Sequence, residues 1–277
     1  GLRRENGQVT GVQMSSMGRT YEVAARLVIA ADGTESQVAR WAGLKTIPPL
    51  RDYYVAVQFL LSGVGDVVDQ TECQYHIGWS IAPGGYARVF PKGDDTANVG
   101  LALGADQAAE VSAQAYLERF VEKHFPKASI LSVVAGGIPI TGALKRMVTD
   151  GLMVVGDAAH QADPLTAGGI NLGMIAGDMA ARVGAEAIRR GDVSAKALRA
   201  YEAAWRKRFG REHGALYRVR KILIKMDEER LNALVRTASK LPLEEMSLAQ
   251  IALALLKNHP RLLVEARTLI ASGLTLK

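Results

Sequence analysis

The chain has 277 residues, 48% of them hydrophobic and 22% charged, with a net charge of +6 at pH 7. That is enough to bury a core in one large or two smaller domains, and nothing in it is low-complexity or repeated. Its one cysteine, Cys73, excludes an intramolecular disulfide framework and a four-cysteine metal or iron–sulfur site, and no apolar run approaches the ~18 residues of a membrane span.

The chain opens on Gly1 and enters at once a strand–turn–strand pattern around Gly7 and Val9 to Met14, as the middle of a longer protein would. Val9 and Val12 flank Gly11, Tyr21-Glu22-Val23 follows a turn at Gly18, and Leu27 to Ala31 reads as a buried strand. Asp32-Gly33-Thr34 breaks that strand, and Ser36 to Trp41 reads as a short helix closed by Gly43. Four strand-like runs follow, Tyr53 to Leu61, Glu72 to Ile77, Trp79 to Phe90 and Ala97 to Leu103, which predict an antiparallel sheet. Ala108 to Phe125 carries apolar residues at helical spacing and stops before Pro126. Leu152 to Val155 is a short apolar strand ending at Gly156-Asp157, a helix runs from about Gly169 to Arg190, and the remainder to Lys277 reads as helical. The order, β-rich, then mixed, then α, is that of an α+β enzyme.

Between Arg182 and Lys225 lie eleven further basic residues, opposed by Glu186, Asp192, Glu202 and Glu212 alone. Such a stretch is either a solvated helix face or a surface that attracts phosphates. Cys73 reads as a small buried residue, His160 as a loop residue rather than an acid or base, and Asp163 as a turn residue. No catalytic side chain and no metal ligand set is singled out.

The densest local signal is Gly156-Asp157-Ala158-Ala159-His160, with Pro164 and Gly168-Gly169-Ile170-Asn171 downstream. A strand ends in a carboxylate, a loop follows, and a glycine pair opens a helix. Glycines there let backbone N–H groups approach a ligand, and the helix start supplies a partial charge of roughly +0.5. The carboxylate can accept hydrogen bonds from sugar-like hydroxyls.

These residues resemble the second flavin motif of the para-hydroxybenzoate hydroxylase-like FAD superfamily, and Ala31-Asp32-Gly33-Thr34-Glu35-Ser36 resembles its Asp-Gly motif, about 125 positions earlier. The resemblance implies FAD, with Asp32, Gly33, Gly156, Asp157, Pro164, Gly168, Gly169, Ile170 and Asn171 as its binding residues and Asp157 on the ribityl chain. A third segment, Pro83 to Gly93 followed by Ala97 to Leu101, resembles the substrate-domain motif of geranylgeranyl reductases. Tyr86, Phe90, Pro91 and Gly100 match that pattern; Arg88 stands where the family has Trp, and Ala102 where a second Gly is expected. The implied substrate residues are Tyr86, Arg88, Phe90, Pro91 and Gly100. Alternation puts Tyr86, Arg88 and Phe90 on one strand face, which either lies half-buried with its aromatics in the core or suits an isoprenoid chain beside a phosphate or carboxylate head.

The expected organisation is thus an incomplete α/β FAD-binding domain (1–45 and 141–190), an antiparallel substrate domain (46–140) and a C-terminal helical region (191–277). The superfamily's opening Gly-x-Gly-x-x-Gly is absent, so an N-terminally truncated chain, inactive alone, is expected. The resemblance implies reduction of carbon–carbon double bonds in an isoprenoid or prenyl lipid by hydride from reduced flavin, with NAD(P)H or ferredoxin as electron donor. The location expected is cytoplasmic with peripheral membrane contact, and no nucleic-acid partner is expected. The rival readings are an aromatic-ring monooxygenase with the same flavin motifs, and a non-enzymatic basic module for membranes or nucleic acid.

Overall fold

In the computed structural model, residues 1–242, 245–246, 254–255 and 257–259 are described. The apolar stretch 251–256 and the end of the predicted helical region fall largely outside the described residues. Two compact units divide the chain: residues 1–54 with 137–217, and 55–136 with the residues from 218 onward. Residues 191–217, read from sequence as part of a separate helical region, therefore fold with the flavin-like motifs.

In the first unit, β1 (Leu2–Glu5), β2 (Gln8–Ser16) and β3 (Arg19–Ala24) form an antiparallel meander. Its turns sit at Asn6-Gly7 and Met17-Gly18, all four with positive φ. Then come β4 (Val28–Ala30) and the short helix α1 (Gln37–Trp41).

The second unit is built on a five-stranded sheet. It consists of β5 (Tyr53–Ser62), β6 (Gln74–His76), β7 (Tyr86–Gly93) and β8 (Thr96–Gly104), then, after α2 (Ala113–His124), β9 (Ser129–Pro139), in the order β6-β7-β8-β5-β9. One face of this sheet is the core: Val57, Phe59, Leu61, Ala87, Val89, Val99, Leu101 and Leu103 bury against Leu117, Phe120 and Val121 of α2. Two expectations are corrected. The strand predicted from Trp79 starts only at Tyr86, because Gly78 to Gly85 is spent on turns in which Gly78 O accepts from Ile81 and Ala82 N–H. The helix predicted from Ala108 starts at Ala113, where the Ser112 hydroxyl accepts from the Ala115 N–H at 3.2 Å and caps it. Strand β9 is an addition that the sequence reading lacked.

The chain then re-enters the first unit through β10 (Val148–Thr149) and β11 (Leu152–Val154). Strand β11 lies parallel to β4, with Leu152 beside Val28 and Val154 beside Ala30. Helix α3 (Ile170–Arg190) buries Ala176, Ala180, Gly184 and Ala187. A Cβ on Gly184 would meet the side-chain ends of Leu27 and Met153, at 2.6 Å from Cδ2 and 3.0 Å from Cε, so α3 packs closely against these two side chains. Helix α4 (Ala195–Trp205) follows, capped by Ser194. A π-helical turn over Arg206–Gly210 leads into α5 (Arg211–Leu223), along which the first unit ends at Tyr217; α6 (Glu228–Ala238), capped by Asp227, belongs to the second unit. Leu198, Tyr201 and Trp205 of α4 bury in the same core as β11 and α3.

Candidate functional site

Because β4 and β11 are parallel neighbours, the two motifs far apart in sequence leave the sheet at the same end. That carboxyl edge is where open α/β sheets take their ligands. The two strand ends are bonded together: Val155 N–H donates to Ala30 O at 2.9 Å, and the buried Ser36 hydroxyl donates to Ala158 O at 2.9 Å. Asp32 lies exposed beside Gly33, which has φ +73°; one carboxylate oxygen accepts from the Val38 N–H at 2.8 Å and caps the first turn of α1.

Asp157 is half-buried, and burial pushes its carboxyl above the usual carboxylate range. Among the described residues no donor reaches this carboxylate. Gly169 sits against it: a Cβ there would come within 2.8 Å of an Asp157 oxygen. The turn between them is set by Asp163, whose carboxylate accepts from the Leu165 and Thr166 N–H groups, each at 2.8 Å, while its own N–H donates to Gly168 O at 2.9 Å. Pro164 is buried in that turn; Gly168, Ile170 and Asn171 are exposed. Helix α3 starts at Ile170 with Gly169 as its cap, so no side chain satisfies the first N–H groups. Gly156, at φ +66°, passes within 3.7 Å of where a Cβ on Gly173 would stand, which brings the strand end against the first turn of α3. An unpartnered carboxylate, an uncapped helix start and a glycine cradle that a Cβ would fill suit the polyol and pyrimidine groups of a flavin. The predicted residues of the second motif thus come together.

His160 is buried, with Nε2 2.6 Å from Thr46 O, and His213 of α5 is buried with Nε2 2.9 Å from Ala162 O. Each ring pins a loop. Burial holds the pKa of both below the ordinary histidine value; backbone acceptors, and Asp163 near His213, oppose it more weakly. A histidine kept neutral in the fold takes up a proton on unfolding, so it stabilises above the unfolded pKa near 6.5 and that stability is lost as pH falls below it. The melting temperature of the protein is therefore expected to fall between pH 7.5 and 5.5, and His213→Gln is expected to flatten the slope. A parent and variant with equal slopes would refute the assignment.

In the second unit, Tyr86, Arg88 and Phe90 pair with Ala102, Gly100 and Asn98, on the strand face opposite Ala87 and Val89, and Tyr86 is itself buried. Tyr75, opposite Arg88, joins them, its ring 5.7 Å from Tyr86 and 5.6 Å from Phe90. The Arg88 guanidinium donates to Gln58 Oε1 at 3.0 Å and lies 5.1 Å over the Phe90 ring. Gly100 leaves it room: a Cβ there would meet Arg88 Nε at 3.1 Å. Pro91 falls on the opposite side of the strand, across from Ala97. Tyr75 and Gln58 were missed from sequence, although both follow the alternation of their strands.

Cys73 is exposed, which corrects the buried reading. The basic stretch is partly spent within the fold. Arg182 pairs with Asp178 at 2.9 Å, Arg189 and Arg190 pair with Glu186 at 2.6 Å, Arg206 donates to the Leu144 and Lys145 carbonyls, and Arg220 is buried. Among the described residues no helix is long and apolar enough to cross a membrane, and no group of three or more His, Cys, Asp or Glu could hold a metal ion.

Residues 52–138 match the model of the geranylgeranyl reductase catalytic domain. Over its whole length the chain is 41% identical to a digeranylgeranylglycerophospholipid reductase of Methanococcoides burtonii, of which it covers 67%. A crystal structure of a geranylgeranyl bacteriochlorophyll reductase-like protein from Thermoplasma acidophilum superposes with TM-score 0.89 at 35% identity, over 98% of this chain and 68% of that one. A myxobacterial chondrochloren halogenase shares the fold at TM-score 0.60 and 18% identity, over 92% of this chain and 66% of that one. The chain spans about two-thirds of the length of these relatives. With the motif-bearing loops joined at one sheet edge and similarity to named reductases along all of its length, the chain belongs to the geranylgeranyl reductase family of flavin-dependent oxidoreductases.

Proposed function

We propose that the protein binds FAD at the edge of β4 and β11 and reduces carbon–carbon double bonds in the isoprenoid chains of a prenyl glycerophospholipid. The observation that carries this is the half-buried Asp157 carboxylate, without a donor among the described residues, against Gly169 at the uncapped start of α3. When bound, the flavin supplies the hydride chemistry. Asp157 would hold the ribityl hydroxyls, and the N–H groups of Ile170 and Asn171 would face the pyrimidine edge, where a helix start favours negative charge. Asp32 and Gly33 would bound the same cofactor from the neighbouring strand end.

For the substrate, the aromatic face of Tyr75, Tyr86 and Phe90 would take isoprenoid chain and the Arg88–Gln58 pair a polar head. Arg88→Ala is expected to leave flavin binding unchanged and to raise KM for a phosphorylated isoprenoid by ten- to a hundredfold, from loss of about 1.5–3 kcal/mol of charge-assisted hydrogen bonding. An unchanged KM would remove Arg88 from the substrate site. Peripheral contact with an anionic bilayer belongs to this reading, through the exposed Lys196, Arg199, Lys207 and Arg211. Sedimentation with vesicles of anionic against neutral lipid tests it.

The whole reading is tested on the full-length protein by flavin absorbance after gel filtration, then turnover of a geranylgeranyl glycerophospholipid with dithionite, NADPH or reduced ferredoxin as donor. Hydroxylation of a phenol with oxygen uptake, and no reduction of the lipid, would replace it with the monooxygenase reading.

A further inference from the structure

Among the described residues no donor holds the Asp157 carboxylate, so its position follows the backbone that carries it. That backbone bends at Gly156, whose positive φ, +66°, is a conformation glycine reaches freely and leaves freely. Something must fix it. The Gly156 N–H donates to Gln161 Oε1 at 2.7 Å, Gln161 Nε2 donates to the Tyr201 hydroxyl at 2.9 Å, and that hydroxyl donates to Val154 O at 3.0 Å. The bonds close a loop from the end of β11, through α4, back to the residue before Asp157. Gln161 and Tyr201 are both fully buried, so water cannot replace a lost partner.

The next residue of the same loop is held from the same helical column, since Ala162 O meets His213 Nε2 at 2.9 Å. Tyr201 and His213 are twelve residues apart, which in an unbroken α-helix leaves them about 120° out of phase. The π-helical turn at Arg206–Gly210 takes in one extra residue and sets the phase back by about 100°, so both side chains reach adjacent residues of one loop.

We propose that Gln161 and Tyr201 are positioning residues for the flavin: they hold the Gly156 turn and thereby aim the Asp157 carboxylate. This rests on the reading that Asp157 holds the cofactor. The test is titration of full-length apoprotein with FAD, followed by flavin fluorescence, at a temperature well below the melting point of every variant. Tyr201→Phe and Gln161→Met are each expected to weaken FAD binding about tenfold, because each leaves a buried partner unbonded. The double variant is expected to fall little further, since the two side chains act through one chain of bonds. Leu198→Val, buried on the same helix but outside that chain, is expected to lower the melting temperature and leave the FAD Kd unchanged. The idea is overturned if both single variants melt lower yet bind FAD as the parent does. If Tyr201→Phe does not fold, Gln161→Met decides by the same titration. A parent protein that binds no FAD overturns the flavin reading itself, and is seen before any variant is made.

Discussion

Asp157→Ala is expected to weaken FAD binding by ten- to a hundredfold in the full-length protein without lowering the stability of its apoprotein. The first half follows from losing a carboxylate that accepts hydrogen bonds from the ribityl chain, a charge-assisted contact of about 1.5–3 kcal/mol. The second follows from its surroundings. Burial raises the pKa of this carboxyl, so the folded state holds a proton more tightly than the unfolded chain does. The sign is then fixed: above that raised pKa the ionised carboxylate opposes folding, and the opposition fades as pH falls through it. Asp157→Asn should accordingly melt above the parent at neutral pH, and the two should converge in acid. The measurements are an FAD titration and apoprotein melts at pH 7 and pH 4. A variant that melts lower at pH 7 and binds FAD normally would make Asp157 an ordinary structural residue.

Trp205→Ala is expected to destabilise the first unit by about 3–5 kcal/mol, the usual range for deleting a buried aromatic side chain. Trp205 is 1% exposed and packs in the core that contains β11 and α3, with its ring 5.9 Å from Phe209 and 5.3 Å from His213. For a unit of this size the melting temperature should fall by roughly 10 °C. Trp205→Phe should lose much less. It retains an aromatic ring in the core and removes an indole N–H that is buried without a partner. Thermal melts of the three proteins decide it. A loss below about 1 kcal/mol for the alanine variant would mean that residues 195–217 are not integral to the unit that carries Asp157.

What was legible in the sequence was what leaves a local mark. The strand-like runs Tyr53 to Leu61 and Ala97 to Leu103, bounded by glycine-bearing turns, report an antiparallel sheet, and both strands are there. The glycine pair before Ile170 reports a helix start, and α3 begins at that residue. Strand β9 left no such mark. Ile130, Leu131, Val133 and Val134 are all half-exposed or more, so neither face selects a pattern, and Gly136-Gly137 reads as a break. The second glycine is nonetheless required, because a Cβ there would overlap the Tyr53 ring. Among the described residues after Arg190, the helices expected from sequence are present, but composition could not report which core each helix joins. That is decided by long-range contacts such as Tyr201 with Gln161 and Glu202 with the Met147 N–H at 2.6 Å. The same limit hid the chain of bonds behind Asp157: Gln161 lies inside the flavin-like motif, yet nothing local names its partner forty residues on.

The parallel pairing of β4 with β11 makes the five-stranded sheet an insertion in the stretch of chain that joins them. The entropy of closing a loop rises only with the logarithm of its length, by about 0.6 kcal/mol for each doubling. Residues 55–136 can therefore lengthen, shorten or be exchanged with little effect on how readily the two strand ends meet. A sheet edge closed by so tolerant a loop can keep its own residues while the inserted sheet is reshaped.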